Sequence, residues 1–246
     1  MSPLALRNPH SVLEAIRLRP RDVVDIRLTT RSPQDAWRQV SDAAAAAQIP
    51  VRVLPAQSKP GPRRSAEDKD GRTSGTHALV TPRDAVSLTE MFAEARERPG
   101  IWLALDQVQD PHNLGAIFRS AAFFGIRGIV LTKHKSAPIS ATVYDVASGG
   151  VECVPFAIET NLRQSIEQAK ELDLWVLGTS EHAEQSVWQI PRDRSWLVVL
   201  GNEESGLRRL TTAHCDELCG IPAVGEIGSL NVSVAAGVLL AALARS

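Results

Sequence analysis

The chain has 246 residues, 43% of them hydrophobic, which suits one or two domains with a substantial core. No N-terminal apolar segment of the secretory type and no apolar run of about 18 residues is present, so a cytoplasmic, membrane-free protein is expected. The formal net charge of −1 hides an asymmetry, because residues 1–98 hold 16 Lys+Arg against 12 Asp+Glu while residues 99–246 hold 11 against 16. A basic N-terminal part suggests first contact with an anionic partner such as RNA, although a solvated surface accounts for it nearly as well.

Residues 32–48 read as a helix, with Pro33 near its start and the alanine run Ala43 to Ala47 supplying propensity, and Ile49 to Leu54 as the strand that follows. The Pro, Gly, Ser and charged residues from about 55 to 76 lack apolar periodicity and predict a mobile loop. His77 to Val80 reads as the closing strand of a first unit, Ser87 to Arg98 as a connecting helix, and Pro99-Gly100 as a break. The expected division is therefore 1–80, a linker helix within 81–99, and 100–246. In the last part Ile101 to Leu105, Gly128 to Leu131, Leu174 to Gly178 and Trp196 to Leu200 read as strands between helical stretches. That alternation predicts a parallel α/β sheet covered on both faces.

Three segments carry groups suited to chemistry. Leu105 to Ala122 reads as strand, polar loop and helix, with Asn113 able to cap the helix and Arg119 in its second turn. There the guanidinium would need an anionic partner, either a buried carboxylate or a ligand phosphate. Leu200 to Leu210 repeats the pattern with a glycine-bracketed loop, Gly201-Asn202-Glu203-Glu204-Ser205-Gly206, in which acids at a helix start also suit the dipole. Ile221 to Gly237 brings Ser229, Asn231 and Ser233 together ahead of an apolar helix. An over-capped core helix and a ligand site explain that cluster equally well. Neither of the first two segments is a dinucleotide or nucleoside triphosphate fingerprint. His112 reads as structural. Cys153, Cys215 and Cys219 form no CxxC pair, so buried thiols are expected and no metal site. Ligands of open parallel sheets sit at the carboxyl edge, where the three loops could converge.

In order and spacing the three segments resemble the motifs of the SpoU/TrmH (SPOUT) family of S-adenosylmethionine-dependent RNA 2′-O-ribose methyltransferases. Asp110 to Arg119 looks like the first motif, Gly201 to Gly206 the second, and Ile221 to Gly237 the third. Arg208 to Thr211, His214 to Leu218 and Ala137 to Pro155 look most like the bacterial 23S rRNA guanosine 2′-O-methyltransferase subgroup. The resemblance is strong over about residues 100–246 and loose over 1–80. It implies a C-terminal trefoil-knotted parallel-sheet methyltransferase domain behind a small α/β, ribosomal-protein-like, RNA substrate-binding domain, and a homodimer through the knotted part. It also implies S-adenosylmethionine as cofactor, held by Leu200, Gly201, Asn202, Ile221, Pro222, Ser229, Leu230 and Asn231. The catalytic set it implies is Arg119, Asn113, Glu203, Ser229 and Asn231. The substrate it implies is RNA, with rRNA first, tRNA the alternative, and a non-catalytic RNA-binding or ribosome-binding relative the remaining reading. The second motif has Glu204 where the family usually has glycine, and the N-terminal part begins Arg7-Asn8-Pro9-His10 where the subgroup has Gly-Ile-His.

Overall fold

A computed structural model describes residues 2–30, 33, 35–54, 75–202 and 206–244. The loop expected at 55–76 lies, apart from its last two residues, outside the described residues, as do Glu203 to Ser205.

The N-terminal part is built from strand β1 (Leu4–Leu6), helix α1 (Pro9–Leu18), strand β2 (Val23–Leu28), helix α2 (Asp35–Ala46), strand β3 (Val51–Val53) and strand β4 (His77–Val80). Its sheet runs β1-β4-β2-β3, with β4 antiparallel to β1 and β2 and with β3 parallel to β2. Helix α1 starts where Asn8 accepts the His10 amide and Pro9 takes the first helical position, whose N–H would be unpaired in any case. The expected strand at 49–54 shortens to three exposed edge residues, because Ile49 is drawn into the core and Pro50 precedes the ladder.

The linker helix is a correction. Only α3 (Leu88–Met91) is helical, capped by Ser87 accepting the Glu90 amide. Beyond it the amides of Ala93, Ala95 and Glu97 bond three residues back, a tighter winding that lets Phe92 and Ala95 both pack in the core with Trp102.

The second part follows as β5 (Ile101–Leu105), α4 (Pro111–Phe123), β6 (Ile129–Thr132), α5 (Ala141–Ala147), α6 (Gly150–Cys153), β7 (Phe156–Glu159), α7 (Leu162–Glu171), β8 (Trp175–Thr179), β9 (Trp196–Leu200), α8 (Arg209–Thr212), β10 (Glu217–Cys219) and α9 (Val232–Leu243). Its six strands are all parallel, in the order β10-β8-β9-β5-β6-β7. Alternate residues of β5 serve opposite faces. Leu103 and Leu105 join the core that includes α4, α9 and the N-terminal part, while Trp102 and Ala104 join the core under α3 and α7. Near-continuous apolar strands are the signature of such two-sided burial. The chain builds outward from β5 to β7 and then returns to the other side at β8, so the topological switch point lies between β5 and β9.

The two parts share one core and a polar seam. Asp145 Oδ1 accepts the amides of Arg7 and Asn8 at 2.8 and 3.0 Å. Ser11 Oγ donates to the Tyr144 carbonyl at 2.5 Å and accepts from the Gly149 amide at 3.0 Å. Arg19 forks onto both oxygens of Glu152, at 2.6 and 2.8 Å, and that carboxylate side chain is completely buried. The Tyr144 hydroxyl accepts from the Arg83 amide, and burial pushes its pKa up to about 12. Among the described residues no helix is long and apolar enough to cross a membrane.

Candidate functional site

Leu105 pairs with Leu200 at the carboxyl ends of β5 and β9, so the first two polar loops leave the sheet side by side at the switch point. Immediately after β5, Gln107 has φ 66°, a left-handed conformation that a side-chain-bearing residue adopts at a cost. Its neighbours hold it there: the Gln107 amide donates to Thr132 Oγ1 at 3.1 Å and its carbonyl accepts Asn202 Nδ2 at 2.9 Å. The second loop is thereby bonded to the first.

Asp106, which the sequence alone does not single out, braces this edge of the sheet. Its side chain is wholly buried, its Oδ2 accepts Arg208 Nε at 3.0 Å and Thr211 Oγ1 at 2.8 Å, and Arg208 Nη2 lies 2.8 Å from Oδ1. A buried carboxylate that accepts a guanidinium N–H and a hydroxyl through Oδ2, with Oδ1 in ion-pair contact only, ties the end of β5 to the segment that follows the second loop. The signal for it was an acid placed directly behind an all-apolar strand, where a solvated turn residue would read the same way.

Asn202 and Gly206 exchange amide-to-carbonyl hydrogen bonds at 3.1 and 3.0 Å, and Gly206 supplies the positive φ, 63°, that closes the turn. A Cβ on Gly201 would sit 2.2 Å from the Gly206 carbonyl carbon and 2.4 Å from the Leu207 nitrogen. Those are backbone atoms that cannot swing aside. Gly201→Ala is therefore expected to push that backbone aside and destabilise the chain by about 1–3 kcal/mol, as overpacking does. A melting temperature equal to the parent's would contradict this placement. Glu203, in the same loop, lies outside the described residues.

Helix α4 begins three residues earlier than expected. Asp110, not Asn113, is its N-cap, accepting the His112 amide at 2.8 Å, with Pro111 in the first position. Asn113 is released from capping and becomes a buried residue of the first turn. His112 is exposed and contributes only that amide bond to the cap.

The third segment brings its own cap to the same place. Asn231 caps α9, accepting the Ser233 amide at 2.9 Å and the Ser233 hydroxyl at 2.6 Å, while its Nδ2 donates to Asn113 Oδ1 at 3.0 Å. That bond joins residues 118 positions apart. Strand β10 lies three places from β5, roughly 14 Å at ordinary strand spacing, so the segment leaving Cys219 crosses the carboxyl ends of β8 and β9 to reach α4. Ile221 packs on the core, whereas Pro222, Ser229, Leu230 and the residues between them are exposed.

Arg119 stands apart from this contact. With α4 starting at Pro111 it falls in the third turn, not the second, and it is exposed, which overturns the buried ion pair considered from the sequence. Six residues of helix rotate by about 600° and rise about 9 Å, so Arg119 leaves α4 about 120° around from Asn113. It makes no hydrogen bond or ion pair among the described residues. A free, exposed guanidinium fork can take a phosphate or carboxylate from solution.

No cluster of three or more His, Cys, Asp or Glu side chains is placed to hold a metal ion among the described residues. Burial pushes the Cys215 thiol up to about 11 and that of Cys219 up to about 12, while Cys153 is exposed beside Glu14 with its pKa raised by burial and by that carboxylate. Because the thiolate is the reactive form, iodoacetamide at pH 8 is expected to label Cys153 first and the other two only on unfolding. Equal native labelling of all three, read by mass spectrometry, would contradict it.

Residues 100–241 match the model of the SpoU rRNA methylase family. Proteins named 23S rRNA (guanosine-2′-O-)-methyltransferase RlmB are similar over nearly the whole chain. The one from Pseudomonas aeruginosa is 35% identical over 96% of this chain and 94% of its own, and the one from Nitrosomonas europaea is 36% identical over 94% and 87%. Among solved structures, the SpoU methyltransferase AviRb from Streptomyces viridochromogenes, in complex with AdoMet, aligns with TM-score 0.77 at 18% identity, over 99% of this chain and 90% of its own. An AdoMet-bound rRNA methyltransferase from Sinorhizobium meliloti aligns with TM-score 0.73 at 20% identity, over 98% and 87%. At such identities these structures show the shared α/β fold.

Proposed function

The chain belongs to the SpoU rRNA methylase family, and from that premise we propose that it is an S-adenosylmethionine-dependent RNA methyltransferase that methylates the ribose 2′-oxygen of a guanosine in 23S rRNA. The observation that carries this reading is the Asn231–Asn113 hydrogen bond, which draws the first and third motifs together at the switch point beside the second.

The residues at that edge suit the cofactor. Gly201, Asn202, Pro222, Ser229, Leu230 and Asn231 are in reach of solvent there, and Leu200 and Ile221 anchor the loops in the core. The mixture of main-chain amides, apolar side chains and small polar groups fits an adenine, a ribose and an amino-acid tail. Bound S-adenosylmethionine supplies a methyl group on a sulfonium. The chain's part is to align the 2′-oxygen in line with that methyl and to ease loss of its proton. Asn113 and Asn231, fixed by each other, orient the ribose, with Ser229 and Glu203 completing the polar wall. Arg119 holds the phosphate next to the target ribose. An ordinary guanidinium stays protonated and is a poor base, and exposure at this position favours the clamp.

The knotted topology belongs to the same proposal. It is supported by the path of the segment after β10 across two strand ends to α4. Residues 1–80 form the RNA-selecting part and 100–246 the catalytic part. A homodimer is supported by exposed Val224, Ile227, Leu230 and Val234, apolar side chains clustered in sequence around the third motif. A monomeric mass by light scattering at micromolar concentration would refute the dimer. The reaction is tested by mapping label from S-adenosylmethionine on unmodified RNA. Label in tRNA alone would keep the chemistry and reassign the substrate.

A further inference from the structure

The amino ends of β5 and β6, opposite the edge that carries the motifs, border a cavity of about 520 Å³ whose other wall is the connecting segment from Arg83 to Arg98. Its floor is built around Arg127. That side chain lies flat across Gly100, where a Cβ would come within 2.4 Å of Arg127 Nε, and over the ring of Trp102, 5.4 Å from the centroid. Stacking on an aromatic face satisfies the charge of a guanidinium but not its in-plane N–H groups. Arg127 Nη1 is buried and has no hydrogen-bond partner among the described residues.

Two more arginines line the same cavity. Arg83 is fixed in the wall, its Nη1 donating to the carbonyls of Val151, Glu152 and Val154 at 3.1, 2.8 and 3.0 Å. Arg98 is exposed at the rim. Glu90 and Glu94 also line the cavity, yet both are exposed and neither forms an ion pair with Arg127. A buried N–H donor of a cation is costly to leave unmade, and the volume is in the range of small-ligand sites. The unmade N–H of Arg127, with two further arginines lining the same cavity, suits a tetrahedral oxyanion, which takes several N–H donors at once.

We propose that this cavity is a second anion site, distinct from the methyl-transfer crevice, in which Arg127, assisted by Arg98 and Arg83, binds a phosphate ester. The phosphate is either an internucleotide phosphate of bound RNA or the phosphate of a free nucleotide. The first source rests on the proposed RNA reaction and the second does not.

The full-length protein and its Arg127→Gln and Arg98→Glu variants are compared for binding of a radiolabelled 23S rRNA fragment and of radiolabelled guanosine monophosphate, with melting temperature measured alongside. Arg98→Glu, at an exposed rim position, tests the site without endangering the core. Both variants are expected to weaken binding of at least one probe by about fivefold or more, and on RNA to lower the slope of log affinity against log salt by about 0.9 for each lost contact. Loss confined to RNA identifies the internucleotide phosphate, and loss for guanosine monophosphate identifies a free nucleotide. Parent-like binding of both probes by both variants, or no binding of either probe by the parent, overturns the site. Phosphate binding that persists in a parent protein unable to transfer methyl would overturn the proposed reaction and leave the cavity assignment standing.

Discussion

Replacing Arg119 by alanine is expected to abolish methyl transfer while leaving affinity for S-adenosylmethionine within about tenfold, ~1.4 kcal/mol. The side chain is exposed and bonds to nothing among the described residues, so its loss should move stability by no more than about 0.5 kcal/mol. Activity and fold are thereby separable in one variant. Arg119→Lys keeps the charge but not the planar fork, and is expected to recover only a minor part of the rate if a phosphate is held bidentately. Measurable turnover by Arg119→Ala in a single-turnover assay with saturating cofactor would remove the arginine from the mechanism.

Arg19→Met should produce the largest change in stability. Glu152 is completely buried and Arg19 is its forked partner, so the substitution strands a carboxylate inside the seam between the N-terminal and C-terminal parts. Breaking such a pair from one side costs about 3–5 kcal/mol, which for a chain of this size lowers the melting temperature by roughly 10 °C. Arg19 also bonds the Thr81 carbonyl and Asp22, so the connecting segment loosens with the pair. Adding Glu152→Leu removes the stranded charge and is expected to restore part of the loss, a non-additive result that identifies the pair as its source. A melting curve for Arg19→Met that overlays the parent's would show that the seam does not depend on this contact.

Strands β5 and β9 are legible to the residue, and for a physical reason. A strand buried on both faces is apolar throughout and ends where polarity resumes, as at Leu105 and Leu200. Strand β10, Glu-Leu-Cys at an outer position of the sheet, has no such run and was not read. The first strand and helix were also missed, although Asn8-Pro9 is an ordinary helix start. The 81–99 segment misled because its composition favours helix while packing against Trp102 pulls Phe92 and Ala95 inward.

At the site, the residue types were legible and their geometry was not. Asn113 looked like a cap because Asp110 and Asn113 are both good caps, and only the placement of Pro111 in the first helical position decides between them. The Asn231–Asn113 bond depends on the order of strands between β5 and β10, which no local pattern encodes. Asp106 gave no sign of burial because its partners, Arg208 and Thr211, come more than a hundred residues later. Family resemblance supplied the identity of the motifs; the fold supplies the reason that three loops far apart in sequence meet at one edge.

The most direct test incubates the purified protein with radiolabelled S-adenosylmethionine and separate pools of unmodified 23S rRNA and tRNA, then maps the label to a nucleotide and an atom. The expected result is label on the ribose 2′-oxygen of a guanosine in 23S rRNA, lost in Arg119→Ala. Label on a base, or none in either RNA with the cofactor bound, would contradict the proposed reaction.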